Sequence, residues 1–111
     1  MDGRFMAREI DETIHQKTRL TIMSHLAAVD EADFLAMKRD LGLSDGNLSV
    51  HMAILENKGY IEMHKSFVGK KTRTLYRITA LGRQSFEDYL ADLTSILRVG
   101  LGSRKEHDDA S

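Results

Sequence analysis

Apolar residues along the chain recur first at helical and then at strand spacing, and the change of period falls near residue 60. Met6, Ile10 and Ile14 stand four residues apart and lead into Leu20, Ile22, Met23 and Leu26, a pattern that predicts helix in one segment or two. These positions spread over more than one helix face, so one core does not cover them all and some are expected to meet a partner. Asp33 is placed to cap a following helix, Phe34–Leu41, whose Phe34, Met37 and Leu41 share a stripe. Gly42 then offers a left-handed stop. Only Leu43 separates it from Ser44, a cap for a further helix from Asp45 to about Lys58 that Gly59 ends. So short a link favours a steep crossing of the two helices, which is a helix-turn-helix.

On the second helix of that pair, Leu48, Met52 and Leu55 fill one face. Gly46, Val50, Ala53 and Asn57 point the other way, flanked by Asn47, Ser49 and Ile54. A merely solvated helix face usually carries Lys and Glu. This one is small and nearly uncharged, which permits close approach to a surface, and its Asn, Ser, Val and Ala are types that meet base edges and thymine methyls in a major groove. Its N-terminus adds backbone N–H groups suited to a phosphate. A protein contact surface is the other reading of the same face.

From Tyr60 the period is two: Ile61, Met63 and Lys65 alternate with Tyr60, Glu62 and His64, and a second strand is predicted over residues 73–79. Residues 66–72 between them form a hairpin loop with Gly69 beside Lys70 and Lys71. Thr79 caps a last helix in which Phe86, Leu90, Leu93 and Leu97 make a narrow stripe shouldered by Tyr89 and Ile96. That seam, with Met6 and Ile10, is the expected dimer contact. Beyond Gly100 the chain mixes Gly, Ser and charges without apolar period. One domain over residues 1–98 and a disordered tail at 99–111 are therefore expected.

Composition narrows the class. The 111 residues include no Cys and no Pro, which excludes disulfides, thiolate metal sites and a cysteine nucleophile. Residues 1–14 carry charges throughout and contain no secretory core, and the uncharged run at residues 20–29 falls far short of the roughly 20 apolar residues that cross a bilayer. A cytoplasmic protein with no membrane contact is expected. The formal net charge is −1, yet residues 46–86 hold seven basic residues (Lys58, Lys65, Lys70, Lys71, Arg73, Arg77, Arg83) and two acidic ones (Glu56, Glu62). That is a local balance of +5, which suggests one face directed at a polyanion.

The order helix, helix-turn-helix, charged hairpin, helix resembles the small winged-helix transcriptional regulators of the multiple-antibiotic-resistance and arsenical-resistance repressor types (MarR and ArsR). The resemblance runs from about Lys17 to Leu97. It rests on KTRLTIM at residues 17–23, LGLSDGNLSVH at 41–51, GYI at 59–61, FVGKKTRT at 67–74, YRIT at 76–79 and Gly82-Arg83. What it implies is a mainly α chain with a small β-hairpin, a winged helix-turn-helix with N- and C-terminal dimerisation helices. It further implies a homodimer on double-stranded DNA, with the helix at residues 45–57 reading bases and the hairpin as a wing on the backbone. The DNA-contacting set is then Ser44, Gly46, Asn47, Ser49, Val50, Ala53, Lys65, Lys70, Lys71 and Arg73, and the dimerisation set is Met6, Ile10, Tyr89, Leu90, Leu93, Ile96 and Leu97. Many relatives have Pro where this chain has Thr18 and Thr72, and Arg or Lys where it has Val50 and Ala53. Affinity is therefore expected to lean on the wing.

Other chemistries find little support. The five His residues (15, 25, 51, 64 and 107) include no i, i+4 pair, so no metal site is expected. His51 is expected at the core boundary. No phosphate-cradling glycine loop and no Gly-x-Ser-x-Gly elbow occurs, so neither an enzyme nor a cofactor is expected. The Met residues fit core filling, although a Met-lined groove in a dimer could admit an apolar effector. A dimeric sequence-specific regulator, a repressor, is the leading expectation. The alternative is a winged-helix module that binds protein and not DNA.

Overall fold

A computed structural model describes the backbone of residues 9–110 and the side chains of residues 9–102. The element order is α1 (Lys17–Val29), β1 (Glu31–Asp33), α2 (Phe34–Leu41), α3 (Asp45–Asn57), β2 (Ile61–Val68), β3 (Lys71–Ile78) and α4 (Ala80–Ala110). The three strands form one antiparallel sheet in the order β1-β3-β2. Helices α1, α2 and α3 cover the sheet, and α4 returns across α1.

Each boundary follows from a local hydrogen-bonding device. Residues 11–16 are not helical, contrary to the four-residue spacing of Ile10 and Ile14. The Asp11 carboxylate accepts the backbone N–H groups of Thr13 and Ile14 at 2.9 and 3.2 Å, which closes a turn in place of a helix. The helix starts only after Gln16, an extended cap whose side-chain oxygen accepts from the Arg19 N–H. Asp33 caps α2 through the N–H groups of Leu35 and Ala36, and Gly42 ends it at φ 67°. Ser44 caps α3. Thr79 accepts from Gly82 N–H at 2.9 Å and donates to the Gly59 carbonyl at 2.6 Å, tying the start of α4 to the end of α3.

The core is one cluster drawn from every layer. Ile14, Ile22, Met23, Leu26, Met37, Leu48 and Leu55 are fully buried, with Met52, Ile61 and Tyr89 nearly so. Met23, Met37 and Met52 thus fill the core, as their helical spacing suggests. Strand β1 has no precursor in the sequence pattern. Its three residues are too few to show an alternation, and it is a strand because Glu31, Ala32 and Asp33 pair with Arg77, Tyr76 and Leu75. The hairpin is longer than its sequence suggests: β2 and β3 pair through Val68↔Lys71, leaving only Gly69 and Lys70 at the tip. Gly69 has φ 65°, the conformation that the first position of a type II′ turn demands.

Two further expectations change. Helix α4 continues to Ala110 and does not stop near residue 98. Gly100 and Gly102 each cost about 1 kcal/mol in a helix, but extending a formed helix is cheap and no proline interrupts it. Tyr89 is not a surface residue: it is 1% exposed, packed inside its own subunit, with its hydroxyl 2.7 Å from His15 Nδ1. Ile10 and Leu93 are also partly buried against this core. Leu90, Ile96 and Leu97 remain exposed, while Met6 lies outside the described residues.

Candidate nucleic-acid interface

Leu48, Met52 and Leu55 root α3 in the core, which turns Gly46, Asn47, Ser49, Val50 and Ala53 outward, all exposed. The expected face is therefore the presented face. The Ser44 hydroxyl oxygen accepts the Asn47 N–H at 3.1 Å, which fixes the start of the helix and leaves its O–H as a donor. Asp45, which would repel a phosphate at that end, pairs with Lys38 Nζ at 2.8 Å. A helix terminus that would otherwise present a bare carboxylate is thereby close to neutral.

A half-buried bridge holds α3 in place. Arg19 on α1 donates from Nε to the Thr13 carbonyl at 2.5 Å, and its Nη1 lies 3.0 Å from His51 Nδ1. Arginine has only donors, so His51 accepts through Nδ1 and carries its proton on Nε2. Burial, and then the Arg19 charge, push the His51 pKa below its ordinary value, in keeping with a neutral ring. His51 is thus a positioning residue at the core boundary, linking α3 to α1 and to the turn before it. Spacing alone gave no sign of Arg19 as its partner.

The hairpin splits its cations into two kinds. Lys65, Lys70 and Lys71 are exposed and make no ion pair among the described residues. Arg73 differs from the expectation of a free wing cation: its Nε donates to Asp33 Oδ2 at 2.8 Å, binding β3 to the cap of α2. Arg77 is likewise paired, with Glu31 at 3.0 Å, and Arg83 with Asp30 at 2.5 Å. The strand that sequence spacing does not reveal is what supplies Glu31 and Asp33 as partners.

The Asp33–Arg73 pair has a pH consequence. The hydrogen bond from Arg73, with those from the α2 backbone, holds the Asp33 carboxyl below its ordinary value of 3.8. A carboxylate stabilised in the folded state adds stability above its unfolded pKa, and that stability fades as pH falls through the lower folded value. Asp33→Asn keeps a competent cap but loses the charge. It is expected to flatten the stability profile below about pH 4, the range in which an unfolded carboxylate takes up its proton, and to leave Tm at that acid end nearly unchanged. Thermal melts between neutral and acid pH check this.

A neutral helix face held out by a helix-turn-helix, beside a hairpin with free ammonium groups, is the surface expected to meet duplex DNA. The family model for the winged helix DNA-binding domain matches residues 18–97. This chain belongs to the winged helix DNA-binding domain family. The winged helix of this chain has relatives. It is 32% identical over 78 residues to the uncharacterized protein MJ0432 of Methanocaldococcus jannaschii, which is 70% of this chain and 85% of that one. The structure of a transcriptional regulator homologue from Pyrococcus horikoshii OT3 is similar at TM-score 0.75 and 28% identity, covering 82% of this chain and 89% of that one. A PadR family transcriptional regulator from Eggerthella lenta is similar at TM-score 0.60 and 25% identity, covering 78% and 81%. In winged-helix terms α3 is the recognition helix and β2–β3 the wing.

Proposed function

We propose that this chain is a homodimeric, sequence-specific transcriptional regulator, a repressor akin to the MarR and ArsR types, acting in the cytoplasm on double-stranded DNA without enzymatic activity. The recognition helix enters the major groove and the wing rests on the adjoining backbone. The observation that carries this reading is the pairing pattern: Asp45 and Arg73 are neutralised by Lys38 and Asp33, while Lys65, Lys70 and Lys71 stand exposed on the hairpin and the outward face of α3 is exposed and uncharged. Net positive potential is thereby concentrated on the wing. Occupying a promoter is enough to exclude other proteins from it, so repression is the simplest outcome of such binding.

The dimer reading is supported by α4. Leu90, Leu97 and Leu101 fall on one face of this helix and are 40%, 54% and 66% exposed, and an exposed apolar row of this kind marks a contact surface. Of the seven dimer residues expected from sequence, Leu90, Ile96 and Leu97 are exposed, Ile10 and Leu93 half-buried and Tyr89 buried, and Met6 lies outside the described residues. Leu97→Asp is expected to halve the mass in solution without lowering the helical content of the domain, read by light scattering and circular dichroism.

Mobility shift of short duplexes, followed by footprinting, tests the DNA reading. Two protected major-groove segments about one helical turn apart are expected for a dimer. Val50 and Ile54, 58% and 37% exposed on the recognition helix, are the observation that favours the alternative of a protein-binding module. Absence of any duplex binding at low salt would select it.

A further inference from the structure

Phe67 is 74% exposed, the most exposed of the large apolar side chains among the described residues. It is not part of the core cluster of the described residues. The face of the sheet that meets the core carries Ile61, Tyr76 and Ile78, all buried, and Phe67 lies on that same face by register, opposite Thr72. Six residues further along β2, it sits about 20 Å beyond Ile61. The hairpin residues around it carry charges of one sign, the nearby carboxylate of Asp33 on β1 being paired with Arg73. Lys65 is two residues back on the same face, Lys70 and Lys71 close the turn, and no acidic residue occurs from 63 to 76.

We propose that Phe67 is an apolar wedge of the wing, seated against the sugar edges of the minor groove next to the major-groove segment that α3 occupies. The proposal rests on the DNA-binding reading and adds a contact to it. Duplex DNA offers the complement of this tip, two rows of phosphate enclosing a strip of deoxyribose carbon. Lys65 on the ring's own face, Lys70 at the turn and Lys71 on the opposite face of the hairpin reach the phosphates, and the ring meets the carbon strip. Apolar side chains inserted in a minor groove widen or kink it, so Phe67 favours sequences whose flanks deform easily.

The test compares the full chain with Phe67→Thr, which keeps strand propensity, and Phe67→Leu, which keeps apolar volume, on one selected duplex across a salt series. Phe67→Thr is expected to weaken binding roughly ten- to a hundredfold, the scale of burying one large apolar side chain. The slope of log affinity against log salt is expected to stay unchanged, because no phosphate contact is lost. Phe67→Leu is expected to recover part of the loss, and neither variant to shift the melting midpoint or the mass. Exchanging flanking G·C pairs for inosine·C, which removes only the minor-groove amino group, is expected to strengthen the wild type and not Phe67→Thr. Three results overturn the proposal while leaving DNA binding intact. They are wild-type affinity in Phe67→Thr, a lower mass in that variant, and binding to anionic-lipid vesicles that Phe67→Thr abolishes while its duplex affinity is unchanged. If the wild type binds no duplex, the DNA reading fails and the wedge with it.

Discussion

Gly82→Ala is expected to cost the domain about 3 kcal/mol or more, at or beyond the upper end of ordinary overpacking. A Cβ at residue 82 would lie 2.0 Å from the Tyr60 carbonyl oxygen and 2.8 Å from its carbonyl carbon. The obstacle is backbone, so no rotamer change relieves it. That carbonyl is also committed, since it accepts the Thr79 N–H at 3.0 Å, and Thr79 in turn caps α4 through the Gly82 N–H. Moving Tyr60 aside would strain the bond from its hydroxyl to Asp11 Oδ2, 2.5 Å long, which fastens the turn over residues 11–14. For a domain of this length the penalty corresponds to a drop in Tm of roughly 12 °C or more. Gly100→Ala has no such neighbour and is expected to leave Tm unchanged or slightly higher. The pair of melts separates close approach from any general effect of glycine loss.

The second large effect falls on binding. Lys70→Ala combined with Lys71→Ala removes two exposed ammonium groups from the wing tip. It is expected to weaken every duplex about equally, by roughly ten- to a hundredfold near 0.1 M salt, and to reduce the log–log salt slope by about 1.8. Arg73→Ala is expected to change the slope far less, because its guanidinium is already engaged by Asp33, and to lower stability instead. Changes at Asn47 or Val50 are expected to alter preference among sequences, with about 1–3 kcal/mol at stake per base contact. Fluorescence anisotropy at four or five salt concentrations distinguishes the three classes.

What could be read from the chain beforehand depended on how local the causes were. The α2–turn–α3 unit was legible because Asp33, Gly42, Ser44 and Gly59 each act within three or four residues of their own position. The outward face of α3 was legible because helical period alone sorts Leu48, Met52 and Leu55 from Val50 and Ala53. Strand β1 was not, since its existence depends on β3 more than forty residues later. With it were lost the partners of Arg73 and Arg77, and so the division of the wing's cations into bound and free. Ile10 and Ile14 misled for a related reason: four-residue spacing implies a helix only if the backbone bonds stay within the segment, and Asp11 diverts them. Tyr89 was placed on the dimer seam because a stripe of apolar residues does not say which of two cores it faces. His15, brought to it across the fold, turns it inward.

In the proposed function α3 reads base edges while the wing supplies grip. Selection from a random pool of duplexes near physiological salt, run side by side with the wild type and Asn47→Ala, tests it most directly. An enriched, roughly palindromic motif is expected for the wild type, with preference relaxed for Asn47→Ala at the same one or two positions in each half-site and retained elsewhere. No enrichment with the wild type, or an identical motif with Asn47→Ala and with a second variant, Val50→Ser, would contradict it.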